Sequence, residues 1–263
     1  MTSTLALFLE QYMRISILCF LVTAFMGSRA EAAQVMFFTN RISETCASIR
    51  INGDIRSGDT KALAVLIAKN NKGCKGQNID PTVSFDSPGG DVDEALRMGR
   101  FIRSNNLSTS VEHEAVCASA CNIAFIGGVS RSVDGRFGIH RPYALELRAA
   151  ESDALKAYDA IAQTLKVYAV EMRVSPEIVE RMMKISPQDV AYLSRQEMAS
   201  LGVTGIDPVW EDVLISREAK ALGISRQEFI QRQAATKTLC GTGLRPFPDT
   251  CSDSVMRTGR PSR

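Results

Sequence analysis

Residues 82–90 read Thr-Val-Ser-Phe-Asp-Ser-Pro-Gly-Gly, and this stretch gives the clearest indication of fold class. Apolar and polar residues alternate over 82–86, which predicts a short strand. The Ser-Pro-Gly-Gly run at 87–90 then ends that strand in a turn. Asp91 follows as a helix cap with Glu94 three residues later, so a helix should begin at once. A strand, a tight turn and a helix in succession form the repeating unit of an α/β fold.

The same order recurs on both sides of this stretch. Strands are expected at 47–55, 82–86, 109–116, 136–139 and 189–193. Helices are expected at 60–70, from Asp91, at 118–126, at 152–172, from Ser175-Pro176 and at 194–201. The pattern predicts one α/β domain over 33–209 with a mainly parallel sheet. Helical patterns at 216–221 and 225–235 predict a C-terminal helical extension over 210–263 that carries a disulfide.

Composition and charge narrow the function classes. Hydrophobic residues make up 45% of the 263 residues, which is typical of a protein with a packed core. The formal net charge is only +2, so nothing indicates a nucleic-acid partner.

The N-terminus predicts export. Met13-Arg14 precedes an apolar run at 15–26, and an Ala-rich segment with an Ala-x-Ala pattern ends near Ala32. A positive residue, a short apolar run and small residues define a secretory signal peptide, here residues 1–32, with Met13 as a second candidate start. An uncleaved membrane anchor is the alternative. Both place the body of the protein outside the cytoplasm, in the periplasm or secreted.

The cysteines agree with export. Cys19 would leave with the signal peptide, and six cysteines remain: Cys46, Cys74, Cys117, Cys121, Cys240 and Cys251. An even number in an exported chain favours disulfides, and proximity favours pairing each with its neighbour in that order. Two buried free thiols at 117 and 121 are the alternative for that pair. A zinc site is disfavoured because there is no CxxC pair and there are only two histidines, so no metal is expected.

Those two histidines restrict where hydrolytic chemistry could lie. A serine hydrolase with a histidine base must use His113 or His140. His113 falls inside a predicted strand and is expected to be structural, whereas His140 ends a strand, where sites in parallel sheets gather. Ser119 begins an apolar helix, where free N–H groups favour developing negative charge. Taken alone, a serine at that position is usually only a helix cap.

Four motifs, taken in order, resemble the Clp protease proteolytic subunit and its relatives in the crotonase-like fold. They are 87–90, 117–121, 138–142, and 189–194 leading to 201–207. The resemblance implies a β-β-α superhelix. It also implies that Ser119 is the nucleophile, His140 the general base and Asp189 the acid that orients the base. The implied oxyanion-hole donors are the backbone N–H groups of Gly89 and Ala120, and the implied substrate-pairing strand is Gly90, Asp91 and Val92.

The resemblance implies an exported serine hydrolase, a peptidase acting through an acyl-enzyme on peptides or unfolded protein segments. It needs no cofactor, no ATPase partner is expected outside the cytoplasm, and a homo-oligomer is a further expectation. Three alternatives stay open. They are a Ser–Lys dyad using Lys166 or Lys184, a non-catalytic binding or assembly protein on the same scaffold, and a coenzyme-A-thioester enzyme of the crotonase kind.

Overall fold

The structure is a computed structural model that describes residues 34–39, 47–70, 81–143, 151–240 and 250–261. The predicted signal peptide and the predicted Cys46–Cys74 pair lie outside these residues. In chain order the strands are β1 (Gln34–Thr39), β2 (Ala47–Asn52), β3 (Thr82–Asp86), β4 (Ser108–Val111), β5 (Val116–Ala118), β6 (Ser130–Val133), β7 (Arg136–Ile139), β8 (Ala191–Tyr192) and β9 (Gly205–Ile206). The helices are α1 (Asp59–Asn70), α2 (Val92–Ser104), α3 (Ala120–Phe125), α4 (Glu151–Glu171), α5 (Glu177–Lys184), α6 (Arg195–Ser200), α7 (Pro208–Ala221), α8 (Arg226–Cys240) and α9 (Thr250–Thr258).

The strands form two sheets, and the larger is mainly parallel as predicted. Its order is β1-β2-β3-β4-β6-β9. The four central strands run parallel, and an antiparallel strand closes each edge. The smaller sheet has the order β5-β7-β8, with β5 and β7 parallel and β8 antiparallel to β7. The chain is therefore a mixed α/β protein, because helices separate the parallel strands.

The strand predicted at 109–116 is wrong, because a turn divides it between the two sheets. β4 ends at Val111 in the larger sheet and β5 begins at Val116 in the smaller one. Between them Glu114 has a positive φ of 70°, and the Ala115 N–H donates to the Glu112 carbonyl over 3.0 Å. Extended backbone cannot take that φ, so pairing stops there. His113 lies in this turn and is exposed.

The core lies between the sheets and the helices that follow their strands. Three buried phenylalanines meet edge to face, with ring centroids 6.3 Å apart for Phe85–Phe125 and 5.4 Å for Phe125–Phe137. They come from β3, α3 and β7, so the core joins both sheets to α3. Burying each such side chain stabilises the fold by roughly 1.5–3 kcal/mol. The α3 helix is thereby held rigidly against the ends of β5 and β7.

The C-terminal region is helical, but its first helix is longer than predicted. The helix expected at 216–221 begins at Pro208, so the predicted boundary between 209 and 210 falls inside α7. Asp207 caps α7 and also pairs with Arg103 of α2 at 2.8 Å. A disulfide joins Cys240 to Cys251 and links the end of α8 to α9. None of the described helices is long and apolar enough to cross a membrane.

Candidate active site

Ser119 is the single residue between β5 and α3, and its backbone is unusual for a capping serine. A helix cap normally has extended dihedrals, and its hydroxyl accepts a bond from the first turn. Ser119 instead has φ 57° and ψ −130°, and its hydroxyl makes no capping bond. Such a conformation costs about 1–3 kcal/mol and persists only where the surroundings impose it. The capping interpretation therefore does not explain this serine.

The surroundings hold the Ser119 turn on both sides. The Ser119 N–H donates to the Gly138 carbonyl over 3.1 Å, and the Ser119 carbonyl accepts from the Asn122 N–H over 3.0 Å. The Asn122 side chain, 1% exposed, donates from Nδ2 to the same Gly138 carbonyl over 2.6 Å. Asn122 thus links α3 to the end of β7 beneath the serine. Its Oδ1 has no hydrogen-bond partner within the described residues.

A disulfide brackets this turn. Cys117 and Cys121 are bonded to each other, which confirms a disulfide at this pair rather than two free thiols. The pair encloses only a tiny loop, so it adds little by restricting the unfolded chain. Both cysteines are fully buried, and Ser119 lies midway between them, so the bond fixes the path of the chain through the turn.

The Ser-Pro-Gly-Gly turn lies directly against Ser119. The Ser87 N–H donates to the Val116 carbonyl over 2.6 Å, and the Ala118 N–H donates to the Ser87 carbonyl over 3.0 Å. A Cβ added to Gly89 would lie 2.6 Å from Ser119 Cβ and 2.9 Å from Ala120 N. Because Gly89 has no Cβ, the space beside the Ala120 N–H stays open. That N–H has no hydrogen-bond partner in the described part of the chain.

The Gly89 amide itself is already engaged. Its N–H donates to Ser87 Oγ over 3.1 Å, so in this structure it does not face a substrate oxygen freely. The amide of the next residue, Gly90, has no partner among the described residues, and Gly90 is exposed. Between them, the Gly90 and Ala120 N–H groups are the unpaired donors of the two turns around Ser119.

Gly90, Asp91 and Val92 were predicted to pair with an extended substrate, and only one of them has a free backbone for that pairing. The Ile55 N–H donates to the Gly89 carbonyl over 2.6 Å, and the Asp91 N–H donates to the Ile55 carbonyl over 2.9 Å. The Asp91 carboxylate caps α2 by accepting from the Glu94 N–H over 2.7 Å, and Val92 begins that helix. Only Gly90 keeps both backbone groups unpaired, because its neighbours are used by Ile55.

His140 follows β7 as Ser119 follows β5, so the two lie at the same edge of the smaller sheet. Parallel pairing aligns Ala118 with Gly138 at the ends of these strands. His140 is buried, with 6% of its surface exposed. Within the described residues no hydrogen bond joins the serine hydroxyl to the imidazole. Such bonds are often loose before substrate binds.

The orientation of His140 is set by the next residue. Its Nδ1 lies 2.8 Å from the Arg141 carbonyl oxygen, which can only accept, so Nδ1 carries a proton and, in the neutral imidazole, Nε2 has the lone pair. Arg141 is anchored in turn, because its N–H donates to the Ile185 carbonyl over 3.1 Å and its guanidinium lies 4.9 Å from the Tyr158 ring centroid. A backbone carbonyl thus fixes the tautomer that a triad carboxylate would otherwise fix.

Within the described residues no hydrogen bond or ion pair joins Asp189 to His140, whose Nδ1 is occupied by the Arg141 carbonyl. Asp189 is exposed, and the strand predicted at 189–193 is only β8. β8 pairs Ile139 with Ala191, so one step further along the same register places Val190 opposite His140. A Cβ on Gly138 would lie 2.5 Å from Val190 Cγ1, which shows that this valine packs over the strand end. Asp189 precedes β8 and lies in a turn, where its N–H donates to the Ser186 carbonyl over 3.0 Å.

The lysines of the dyad alternative lie elsewhere. Lys166 of α4 pairs with Glu180 of α5 at 3.0 Å, and Lys184 is exposed at the end of α5. Within the described residues neither lysine forms a hydrogen bond with Ser119 or His140. Within the described ranges no three metal-binding side chains form a cluster.

Comparison with known proteins finds likeness to solved structures at low sequence identity. The sequence matches no protein-family profile and no curated protein. Among solved structures it is similar to a mutant of the 1510-N membrane-bound stomatin-specific protease, with 17% identity, a TM-score of 0.45, and coverage of 64% of this chain and 82% of that one. It is similar to ClpP1 from Listeria monocytogenes, with 17% identity, a TM-score of 0.45, and coverage of 59% and 86%.

Three functional features were not apparent in the sequence. Asn122 could have been noticed as the one amide in an apolar helix. The free Gly90 amide and the Arg141 carbonyl depend on backbone direction, which residue type does not encode.

Proposed function

We propose that this chain is an exported serine hydrolase, a peptidase acting through an acyl-enzyme at Ser119. The observation that carries the proposal is the Ser119 backbone. Hydrogen bonds and a disulfide hold Ser119 in a strained backbone conformation, although its hydroxyl does not cap the helix. A strained nucleophile between a strand and a helix is a recurring device of serine hydrolases. Its setting beside two turns, between motifs similar to those of Clp-type proteases, supports the same assignment.

The chemistry follows from the neighbouring groups. His140 Nε2 takes the proton from Ser119 Oγ as that oxygen attacks the substrate carbonyl carbon. The Ala120 and Gly90 N–H groups would donate to the oxygen that gains negative charge. The C–N bond then breaks, and His140 gives its proton to the leaving amine. Water, deprotonated by the same nitrogen, then attacks the acyl carbon, and His140 returns that proton to Ser119 Oγ as the acyl C–O bond breaks. Gly90 would also pair with one backbone unit of an extended substrate.

The orienting group in this proposal is the Arg141 carbonyl. Asp189 as the third member of a triad stays a prediction, and its exposed position in the structure counts against it. A carbonyl holds the tautomer but stabilises the imidazolium less than a carboxylate does, because it carries no full charge. We therefore expect a slow enzyme compared with a complete triad.

Export and assembly are further parts of the proposal. Two disulfides support an oxidising compartment, since such bonds persist mainly outside the cytoplasm. Val167 and Val170 on α4 are 67% and 60% exposed, which supports a homo-oligomer in which this helix face is covered. Neither cofactor nor ATPase is required by the mechanism.

The missing Ser119–His140 bond and the exposed Asp189 favour a second candidate, a non-catalytic binding or assembly protein on the same scaffold. A fluorophosphonate probe, which reacts only with activated serines, separates the two. We expect wild type and the surface variant Ser200→Ala to be labelled and Ser119→Ala to remain unlabelled. Absence of labelling in folded wild type would favour the binding protein, and equal labelling of Ser119→Ala would exclude this serine.

A further inference from the structure

The Cys117–Cys121 disulfide joins the two elements that meet at Ser119. Cys117 is the middle residue of β5, and Cys121 is the second residue of α3. Ser119 is the only residue between this strand and this helix, so the bond spans the turn that carries the serine. A change in the separation of the two sulfur atoms therefore acts on the backbone at Ser119.

This bond contributes little to the stability of the chain as a whole. The effect of a disulfide on the unfolded chain grows with the loop that it closes, and Cys117 and Cys121 are only four positions apart. Cys240 and Cys251 are eleven positions apart and tie two C-terminal helices together, which is an ordinary structural use. The shorter bond is better explained by its local effect on the turn.

Both cysteines lie in a packed part of the core. Each has 0% of its surface exposed, and the adjacent Ala118 and Ala120 are 6% and 2% exposed. Two thiol sulfurs that are not bonded need about 1.5 Å more separation than bonded ones, because a contact distance replaces a covalent one. A close-packed interior has little free volume for that shift, so separating the sulfur atoms displaces α3 from β5.

The Ser119 turn is where that displacement has to be taken up. Ser119 has φ 57° and ψ −130°, a conformation that persists only where the surroundings impose it. The Ser119 N–H and the Asn122 side chain both donate to the Gly138 carbonyl, over 3.1 and 2.6 Å, and both bonds require α3 to stay against the strands. A relaxed turn would lose the position of the hydroxyl and of the Ala120 N–H that follows it.

We propose that oxidation of Cys117 and Cys121 forms the active-site turn, and that the reduced chain folds with a Ser119 turn that cannot catalyse hydrolysis. The catalytic consequence rests on the proposed hydrolase, whereas the change in the turn does not. In the reaction, one cysteine thiolate attacks an external disulfide, and the second thiolate then attacks the mixed disulfide and closes the bond within the chain. The two thiols lose two electrons and two protons, and the external disulfide gains them and leaves as two thiols.

The burial of the bond determines when this reaction can occur. Sulfur atoms with no exposed surface are out of reach of a thiol or disulfide reagent, so exchange takes place only while the turn is open. The bond would therefore form as the chain folds in an oxidising compartment, and it would then persist. A chain still in the reducing cytoplasm would hold Ser119 in an inactive turn, which confines hydrolysis to the exported protein.

The test compares the full chain in its oxidised and reduced states. Unfolded, reduced protein is refolded either with glutathione disulfide or with dithiothreitol, and mass spectrometry after alkylation assigns the state of every cysteine. Hydrogen exchange of the Ser119 and Asn122 amides reports on the turn, and fluorophosphonate labelling reports on activity. Reduction should speed the exchange and slow the labelling by at least about tenfold each, as expected when packing in a core is disturbed.

Two double variants separate this bond from the C-terminal one. Cys240→Ser with Cys251→Ser should keep the full difference between the two states. Cys117→Ser with Cys121→Ser should show no difference between them. Refolded with oxidant, this second variant keeps the Cys240–Cys251 bond, so it tests the turn even where the reduced wild type does not fold. Its two amides should exchange faster, and its labelling should be slower, than those of the first variant.

The outcomes distinguish this proposal from the hydrolase. The proposal is overturned if reduction leaves the exchange of the two amides unchanged, if reduced and oxidised wild type are labelled at the same rate, or if the difference survives in Cys117→Ser with Cys121→Ser. Equal labelling of both states would leave the hydrolase standing without the switch. A difference in exchange with no labelling of oxidised wild type would support the change in the turn and exclude the hydrolase.

Discussion

Replacing Gly89 by alanine tests the geometry around Ser119 most sharply, because the chain offers a matched control. Gly89 and Gly58 both have positive φ, 112° and 100°. An alanine pays about 1–2 kcal/mol at either position for that backbone conformation. A Cβ on Gly58 meets nothing within 4 Å, whereas one on Gly89 would lie 2.6 Å from Ser119 Cβ and 2.8 Å from the Ala118 carbonyl oxygen. The two variants therefore differ in the steric overlap that the new methyl group makes with Ser119 and Ala118.

The size of that difference follows from the distances. Carbon atoms pack best at about 3.5–4.0 Å, so the new methyl overlaps Ser119 by about 1 Å and the turn must shift. Overpacking of this kind costs typically 1–3 kcal/mol beyond the shared backbone penalty. The methyl also fills the space beside the Ala120 N–H, and losing one oxyanion donor costs about 10²–10³ in rate.

The assay is the rate of fluorophosphonate labelling, measured at a temperature where circular dichroism shows both variants folded. We expect Gly58→Ala to be labelled at nearly the wild-type rate and Gly89→Ala at least about 100-fold more slowly. Urea unfolding should show Gly89→Ala to be the less stable of the two. Equal labelling rates for the two variants would refute the claim that Gly89 borders a functional oxyanion hole.

Three further outcomes are expected. Asp189→Asn should be labelled within about threefold of wild type, whereas a triad acid would cost about 10⁴. Replacing Cys117 and Cys121 by serine should slow labelling strongly. The same change at Cys240 and Cys251 should leave the labelling rate intact but lower the stability of the C-terminal helices in thermal unfolding. Glu94 should contribute to the free energy of unfolding above pH 4.5, and this contribution should be lost as the pH falls towards 2. In urea unfolding, the stability of Glu94→Gln should therefore vary less with pH between 4.5 and 2 than the stability of wild type.

The Glu94 expectation rests on its contacts. Burial alone would raise its pKa, but hydrogen bonds from Thr60 and Arg97 lower it to about 2. The Glu94 side chain is 3% exposed, and the difference from its ordinary value of 4.5 corresponds to about 3 kcal/mol. Glu180→Gln, at a side chain 55% exposed, is the control and should not change the acid dependence. A wild-type slope retained in Glu94→Gln would contradict this account.

The parallel sheet, and the position of Ser119 and His140 just after two neighbouring parallel strands, could be predicted from the sequence. Alternating strands followed by helical patterns specify parallel pairing, and residues just after such strands gather at one edge. The backbone details could not be predicted. The turn that divides β4 from β5 depends on Glu114 adopting a positive φ, which hydrophobic periodicity does not reveal.

The third member of the site shows the same limit. Asp189 resembles a triad acid by its place in a motif, but the register between β7 and β8 decides which residue faces His140. A shift of one position exchanges the two faces of a strand, and here it places Val190 at that position. The group that bonds His140 is a main-chain carbonyl, which every residue possesses and no motif marks.

The central claim is a covalent acyl-enzyme at Ser119, and one measurement tests it directly. Mixing the protein with p-nitrophenyl acetate should give a burst of one equivalent of nitrophenolate per chain, with the acetyl group found on the Ser119 peptide by mass spectrometry. The burst and the adduct should both vanish in Ser119→Ala. A burst that survives in that variant, or wild type with neither burst nor acetylated Ser119, would contradict the account.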